Sequence, residues 1–200
     1  TGTIPVPATL ALQEGVTIVG YAPHLTLLDG TGAGAVFAIS AGAGAASLRM
    51  LTIFGGGTGV DAAGNEVEIR NVVLRDMGIG VLSSAGSTVR VINATLVQLT
   101  VGVHVFPSSC LVRNSILQGN DIGVVAEPGA VPGLTYNNAS GQTTADYSGT
   151  AGGTGSTSFA IAFLADWREP DLSPNVDGGD PADAFSSEPS PNGGRVNQGA

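Results

Sequence analysis

The strongest constraint on the fold of this 200-residue chain is an internal repeat of about 21 residues. The dipeptide Gly-Val recurs at spacings of 21, 22 and 21 residues, with its valines at Val60, Val81, Val103 and Val124. Asparagines follow the first three valines after 11 or 12 residues, at Asn71, Asn93 and Asn114. Three residues beyond each asparagine stands a leucine, at Leu74, Leu96 and Leu117. Landmarks that share one period indicate one structural unit stacked several times.

The residues between these landmarks alternate with a period of two. Before Asn71, the apolar residues Val67 and Ile69 alternate with Glu68 and Arg70. Such alternation predicts a strand with one buried and one exposed face. Equivalent residues recur in the same chain direction, so the strands should stack in parallel, one rung above another. The sequence therefore predicts an all-β parallel β-helix solenoid with rungs of about 21 residues, six or seven in number.

The repeated asparagines are expected at tight corners, where a ladder of amides would bond to the next asparagine and to turn backbone. N-glycosylation is the competing interpretation, because Asn93-Ala-Thr95 fits the acceptor pattern. Asn138-Ala-Ser140 is the better acceptor of the two, since we expect it nearer a loop. Cys110 aligns with two valines, so we expect a buried small hydrophobic residue there and not a nucleophile.

The rungs Val67–Asn71, Val89–Asn93 and Cys110–Asn114 resemble those of right-handed parallel β-helix proteins of the pectate-lyase-like type. The opening segments Gly15–Gly20 and Leu25–Gly30 are similar to the first coils of such proteins. The tail segments Ser173–Pro181 and Glu188–Ala200 resemble the C-terminal part of bacterial secreted β-helix proteins. The resemblance implies a right-handed coil and a secreted or cell-surface setting of bacterial type, and it carries no information about activity.

Composition excludes several classes of protein. The chain has 31 glycines and 11 prolines without a Gly-X-Y period, which excludes collagen, and 42% hydrophobic residues, which excludes general disorder. All seven basic residues are arginines and the net charge is -9, so a nucleic-acid partner is not expected. No apolar stretch approaches the length of a membrane span. A single cysteine excludes an internal disulfide framework.

The chain divides into three parts of one predicted domain. Residues 1–140 hold the rungs, and residues 141–158, of which 13 of 18 are Gly, Ser or Thr, are predicted to form a flexible loop. The acidic segment 159–200 is predicted to fold back and cap the C-terminal end, with Trp167 or Phe185 entering the core; a disordered tail is the alternative. No capping helix is visible at the N-terminal end. We therefore also expect that the chain can form a homo-oligomer by end-to-end assembly.

Two outward rows hold three of the four candidate catalytic residues, and the fourth, Asp76, closes a rung. Enzymes of the resembled family carry carboxylates on adjacent outward positions, for calcium binding or for hydrolysis. One row of this chain reads Asp61, Leu82, His104, Val125, which places Asp61 and His104 two rungs, or roughly 10 Å, apart. The weak catalytic candidates are Asp61, Asp76, Arg70 and His104.

A second outward row, beside the asparagines, reads Arg49, Arg70, Ile92, Arg113. Arginines on adjacent rungs could bind the carboxylate of an acidic sugar. The neighbouring Glu68 and Arg90 favour the alternative, which is simple pairing of surface charges across strands.

The tail offers one candidate metal site. Asp177, Asp180 and Asp183 recur every three residues in a Gly- and Pro-rich stretch, and hard Ca²⁺ prefers such oxygen ligands. A solvated acidic turn is the alternative, and no other cofactor is indicated.

The absence of a clustered set of carboxylates in the repeat region leads to the functional expectation. We expect a non-catalytic secreted or cell-surface module, that is, a rigid, adhesive or glycan-contacting domain with an extracellular glycan or surface protein as its partner. The alternative is a polysaccharide lyase or glycoside hydrolase that acts on extracellular glycans. A self-assembling fibre subunit is the third hypothesis.

Overall fold

The computed structural model describes residues 2–13, 15–40, 42, 44–184 and 194–200. These residues form an all-β solenoid of about 7 turns, with rungs of about 22 residues and no helix. The strands are β1 Gly2–Pro5, β2 Leu10–Ala11, β3 Thr17–Val19, β4 Thr26–Asp29, β5 Ala35–Ile39, β6 Ala46–Phe54, β7 Thr58–Ala63, β8 Glu66–Ser84, β9 Thr88–Ile92, β10 Thr95–Val105, β11 Ser109–Arg113, β12 Ile116–Gln118, β13 Ile122–Ala126, β14 Val131–Thr135, β15 Asn138–Ser140 and β16 Ala145–Ser148. Within the described ranges no helix is long and apolar enough to cross a membrane.

The strands stack in parallel into three faces. Face A consists of β3, β9, β11, β14 and the first parts of β6 and β8. Face B consists of β1, β4, β12, β15, the end of β6, the middle of β8 and the start of β10. Face C consists of β2, β5, β7, β13, β16 and the last parts of β8 and β10. The longest strands, β6, β8 and β10, therefore bend around corners and serve more than one face.

The observed register confirms the repeat predicted from the sequence. The Gly-Val valines stack as Val60, Val81, Val103 and Val124 on face C. The leucines stack as Leu74, Leu96 and Leu117 on face B. All seven residues are completely buried, so the two rows form part of one continuous core. Burial of every second residue fixes the register, because a one-residue slip would turn each row toward solvent.

The repeated asparagines lie at the corner between faces A and B. Asn71, Asn93 and Asn114 have φ angles of 53°, 50° and 51°, and Met50 and Tyr136 continue the series at 58° and 52°. This left-handed conformation is unfavourable for most residues but is tolerated by asparagine. The backbone angle therefore explains why asparagine recurs at this position of the rung.

Cys110 is part of the core, as its alignment with valines predicted. It pairs with Val89 in the register and is 1% exposed. Burial raises the pKa of its thiol to about 12, so the thiol stays neutral and unreactive in the folded protein.

Residues 141–158, predicted as a flexible loop, instead continue the solenoid. They contain β16, which pairs with β13 on face C. The stretch that follows covers the last rung, since the amides of Tyr136 and Ala139 donate to the carbonyls of Thr154 and Thr157. A side chain at Gly153 would collide with the Leu134 carbonyl, so glycine is needed here for close packing. The high glycine content reflects tight stacking and not flexibility.

The described part of residues 159–200 folds back along face B and does not lie over the end of the solenoid. Its backbone bonds to Gln118, to Asn114 and to the hydroxyl of Thr95. Trp167 does not enter the core: it is half-buried beside Phe163, with ring centroids 5.8 Å apart. Phe185 lies outside the described residues.

The outward residues of face B explain this position of the C-terminal segment. Val73, Thr95 and Ile116 point away from the core in one stacked row, yet each is at most 2% exposed. Val73 and Ile116 are apolar and would be unfavourable in contact with water, so this part of face B requires a cover. The C-terminal segment therefore acts as a lateral cap.

Candidate functional site

Face A carries most of the cationic side chains of this acidic protein. Four of the seven arginines lie on its strands, at Arg49, Arg70, Arg90 and Arg113. The register places Arg49 directly beside Arg70, followed by Ile92 and Arg113, in the predicted outward row. The repeat thus concentrates positive charge on one side of a molecule whose net charge is -9.

The ion pairs of face A differ from the pairing expected from the sequence. Glu68 lies opposite Arg90 in the register, yet its carboxylate contacts Arg49 Nη2 at 2.7 Å and Arg70 Nε at 3.5 Å. Arg90 instead reaches Glu66, at 3.7 Å. A hydrogen bond of 2.9 Å from Arg49 Nε to Ser47 fixes the guanidinium beside Glu68. Glu68 therefore approaches Arg70 through Nε, whereas a terminal nitrogen of Arg90, Nη2, faces Glu66.

Two open cavities lie along the arginine-bearing surface. The first, of about 310 Å³, is lined by Thr17, Ser47, Arg49, Glu66, Glu68 and Arg90. The second, of about 280 Å³, lies between face A and the C-terminal segment and is lined by Arg70, Asn93, Arg113, Asp183 and Val196. Both are small for ligand pockets, so each suits one group of a longer ligand.

Two of the three corner asparagines, Asn93 and Asn114, bind the C-terminal segment, whereas the Asn71 amide contacts Met50 Sδ at 3.5 Å. Asn93 Nδ2 donates to the Asn197 carbonyl at 2.9 Å. Asn114 Nδ2 donates to Asp183 Oδ2 at 2.7 Å, and Asn114 Oδ1 accepts from the Asp180 amide at 2.8 Å. The amide ladder predicted from the sequence is therefore replaced by an anchor for the lateral cap.

Each of the three aspartates proposed to bind calcium has its own partners in the protein. Asp183 also contacts Arg113 Nη2 at 2.9 Å, while Asp180 lies 3.8 Å from Arg113 Nη1. Asp177 Oδ1 accepts hydrogen bonds from the amides of Gly194 and Arg195. In the part of the chain that the structure describes, no three His, Cys, Asp or Glu side chains form a group suited to a metal. The calcium site stays a prediction.

The catalytic candidates lie in three separate places. Asp61 and His104 occupy face C with Leu82 between them, as the sequence predicted. Asp76 is exposed at the corner before face C and pairs with Arg75, whereas Arg70 lies on face A. His104 Nε2 contacts Glu127 at 3.0 Å, a partner missed from the sequence although it lies one rung further along. The fold therefore brings His104 to Glu127 and not to Asp61.

Both predicted glycosylation acceptors are buried. Asn93 is 5% exposed and Asn138 is completely buried in β15, not in a loop. Asn138 exchanges hydrogen bonds of 2.7 Å with the backbone of Phe159. Neither amide is accessible in the folded protein, because the lateral cap covers both.

No protein-family model matches the chain, and no curated protein or solved structure shows significant similarity to it. The parallel β-solenoid is established by the strand pairing itself. The finer resemblance to pectate-lyase-like proteins of bacterial secreted type stays a prediction from the sequence. The chemistry of the exposed faces therefore carries the functional argument.

Proposed function

We propose that this protein is a non-catalytic secreted or cell-surface module that contacts extracellular glycans through face A. The observation that carries the proposal is the open charged surface of that face, with half-exposed arginines and glutamates beside two cavities. The core beneath this surface is continuous, so the backbone that carries the outward side chains is held rigidly. A rigid site loses little conformational entropy when it binds a ligand.

The chemistry of face A favours sugar hydroxyl groups as partners. Its outward positions carry exposed hydroxyls at Thr17, Thr88 and Ser109 in addition to the charged residues. These groups can donate and accept hydrogen bonds along a flat surface. The backbone of face A is already paired within the solenoid, so a peptide cannot add to it as a further strand except at its ends.

The positions of the candidate acids favour binding over catalysis. Glycosidases need two carboxyl groups roughly 5 to 9.5 Å apart, on either side of the scissile bond. Asp61 lies in the middle of a face C strand, whereas Asp76 lies at a corner and is paired with Arg75. An adhesive or structural role of the rigid solenoid is compatible with the same surface.

A binding and turnover screen tests the proposal. Purified protein is incubated with neutral and anionic plant, algal and bacterial polysaccharides, and binding is measured by affinity electrophoresis. Ultraviolet absorbance and reducing ends are read in parallel to detect lyase and hydrolase products. We expect binding without turnover. Turnover abolished by Asp61→Asn or Asp76→Asn would establish the alternative enzyme function, and failure to bind any glycan would reject the proposal.

A further inference from the structure

We infer that the lateral cap contains a buried binding site for one ordered water molecule, formed by the side-chain amide of Asn175. The inference does not depend on the proposed glycan contact. It comes from a comparison of the five asparagines that are at most 1% exposed among the described residues, Asn114, Asn120, Asn137, Asn138 and Asn175.

Four of these buried asparagines use both atoms of the side-chain amide. Asn137 is the clearest case: its Oδ1 accepts from the Ser115 amide at 3.0 Å, and its Nδ2 donates to the Val112 carbonyl at 2.8 Å. Asn114, Asn120 and Asn138 are likewise bonded through both atoms. These four follow the general rule that buried polar side chains are hydrogen-bonded.

Asn175 differs from the other four. Its side chain is completely buried, and neither Oδ1 nor Nδ2 has a hydrogen-bond partner among the described residues. Its backbone is bonded on both sides, since the amide donates to Ser173 Oγ at 3.2 Å and the carbonyl accepts from the amides of Gly178 and Gln198, both at 3.0 Å. A buried amide without a partner costs free energy, and proteins commonly satisfy such groups with ordered water.

The chemistry of the Asn175 side chain identifies the ligand. An amide presents an acceptor, Oδ1, beside a donor, Nδ2. A water molecule donates to the first and accepts from the second. A cation would instead bind Oδ1 and face the hydrogens of Nδ2, and an anion would leave Oδ1 unpaired. The site is therefore distinct from the calcium site predicted at the neighbouring aspartates, which needs several oxygen ligands.

The neighbours of Asn175 supply a polar environment. Ser173 and Gln198 adjoin it through hydrogen bonds to its backbone, and both are buried, at 6% and 1% exposure. Gln198 Nε2 donates to the Tyr136 carbonyl at 2.7 Å, and Ser173 Oγ donates to Glu169 Oε2. Internal water molecules make about three hydrogen bonds each and occupy polar sites of this kind. The water molecule thereby completes a polar network that joins the C-terminal segment to the solenoid corner at Tyr136.

Nuclear magnetic resonance of the full chain tests the site directly. We expect the side-chain amide protons of Asn175 to show cross-peaks to water with opposite signs in NOE and ROE spectra, which distinguishes a bound water molecule from proton exchange. Asn137 is the matched control in the same spectrum, because its equally buried amide is bonded to the Val112 carbonyl and should show no such cross-peak. The Asn175 cross-peak should persist in Ser173→Ala, which removes the neighbouring hydroxyl group, and in millimolar calcium chloride.

Asn175→Leu provides a second measurement, since it replaces the amide by an apolar group of similar size. The amide and its bound water are then lost together, so we expect that the midpoint of thermal unfolding does not rise. A rise would show that the amide has no partner in the wild-type protein and would overturn the site. Absence of the Asn175 cross-peak would also overturn it. Loss of the cross-peak in Ser173→Ala or in calcium chloride would do the same, because the signal would then come from a hydroxyl group or the ligand would be a cation.

Discussion

At the scale of single residues, one backbone angle accounts for the recurring asparagines. A left-handed φ costs an ordinary residue about 1 to 2 kcal/mol, and asparagine reduces that cost. The same side chains then serve a second purpose, because Asn93 and Asn114 bind the lateral cap. Asn71 adopts the same angle, and within the described ranges its amide contacts Met50 Sδ and not the lateral cap, so it is a suitable reference for the other two.

We expect Asn114→Asp to destabilise the protein by about 1 to 3 kcal/mol, since a buried donor is lost and two carboxylates then face each other. Asp183 accepts from this amide at 2.7 Å, and Asn114 is completely buried. Asn71→Asp is the control: aspartate also tolerates the left-handed angle, so the change should cost less than about 0.5 kcal/mol. Urea unfolding measures both. Equal effects would contradict the anchoring role of Asn114.

At the scale of the elements, the Gly-Val dipeptide sets the close approach of neighbouring rungs. A Cβ at Gly80 would lie 2.6 Å from the Gly102 carbonyl oxygen and 2.9 Å from Leu99 Cδ1. The φ angle of Gly80 is not in the left-handed region, so crowding between strands, and not backbone conformation, requires glycine here. The valine of each dipeptide fills the core on the other side of the strand.

We expect Gly80→Ala to destabilise the solenoid by about 1 to 3 kcal/mol, because a methyl group forces the rungs apart. Gly133→Ala is the matched control on β14, where the nearest atom to the new Cβ is Leu111 Cδ1 at 3.4 Å. It should change the free energy of unfolding by less than about 0.5 kcal/mol. Chemical denaturation compares the two variants, and a similar cost at Gly133 would show that rung spacing is not the cause.

At the scale of the whole molecule, the two ends of the solenoid differ. Residues 149–158 cover the last rung, whereas β1, β2 and β3 each pair with a single strand among the described residues. The open N-terminal edge exposes Ile4, Val19 and Tyr21, at 53%, 62% and 84%. Unpaired strands with apolar side chains favour association with another edge. Contact between two identical edges would leave no further edge free at that interface, so we expect association through this edge to stop at a dimer.

Multi-angle light scattering at rising concentration should therefore detect a dimer and no larger species. Val19→Lys should shift this equilibrium to the monomer, since lysine on an edge strand opposes pairing. Val131→Lys is the control, because Val131 is equally exposed, at 68%, but lies near the other end on β14. Open-ended fibres, or a monomer produced by both variants, would contradict association through the N-terminal edge.

Sequence reasoning succeeded where a pattern repeats and failed where contacts are made once. The rows of Val60 and Leu74 were predictable because burial of alternate residues fixes the register. The ion-pair partners of Glu68 were not predictable, because three arginines lie within reach and side-chain packing determines which of them it contacts. Residues 141–158 were misjudged because glycine serves close stacking as well as flexible loops.

The sequence by itself determined the solenoid, its period and the residues of its outward rows, because local alternation and a fixed repeat encode them. Only the tertiary structure decided that the C-terminal segment covers face B and places Asp183 on Asn114, a contact between residues 69 positions apart. Such contacts between distant residues depend on which outward side chains are apolar once the rungs have stacked. A local sequence pattern does not encode which face the C-terminal segment will cover.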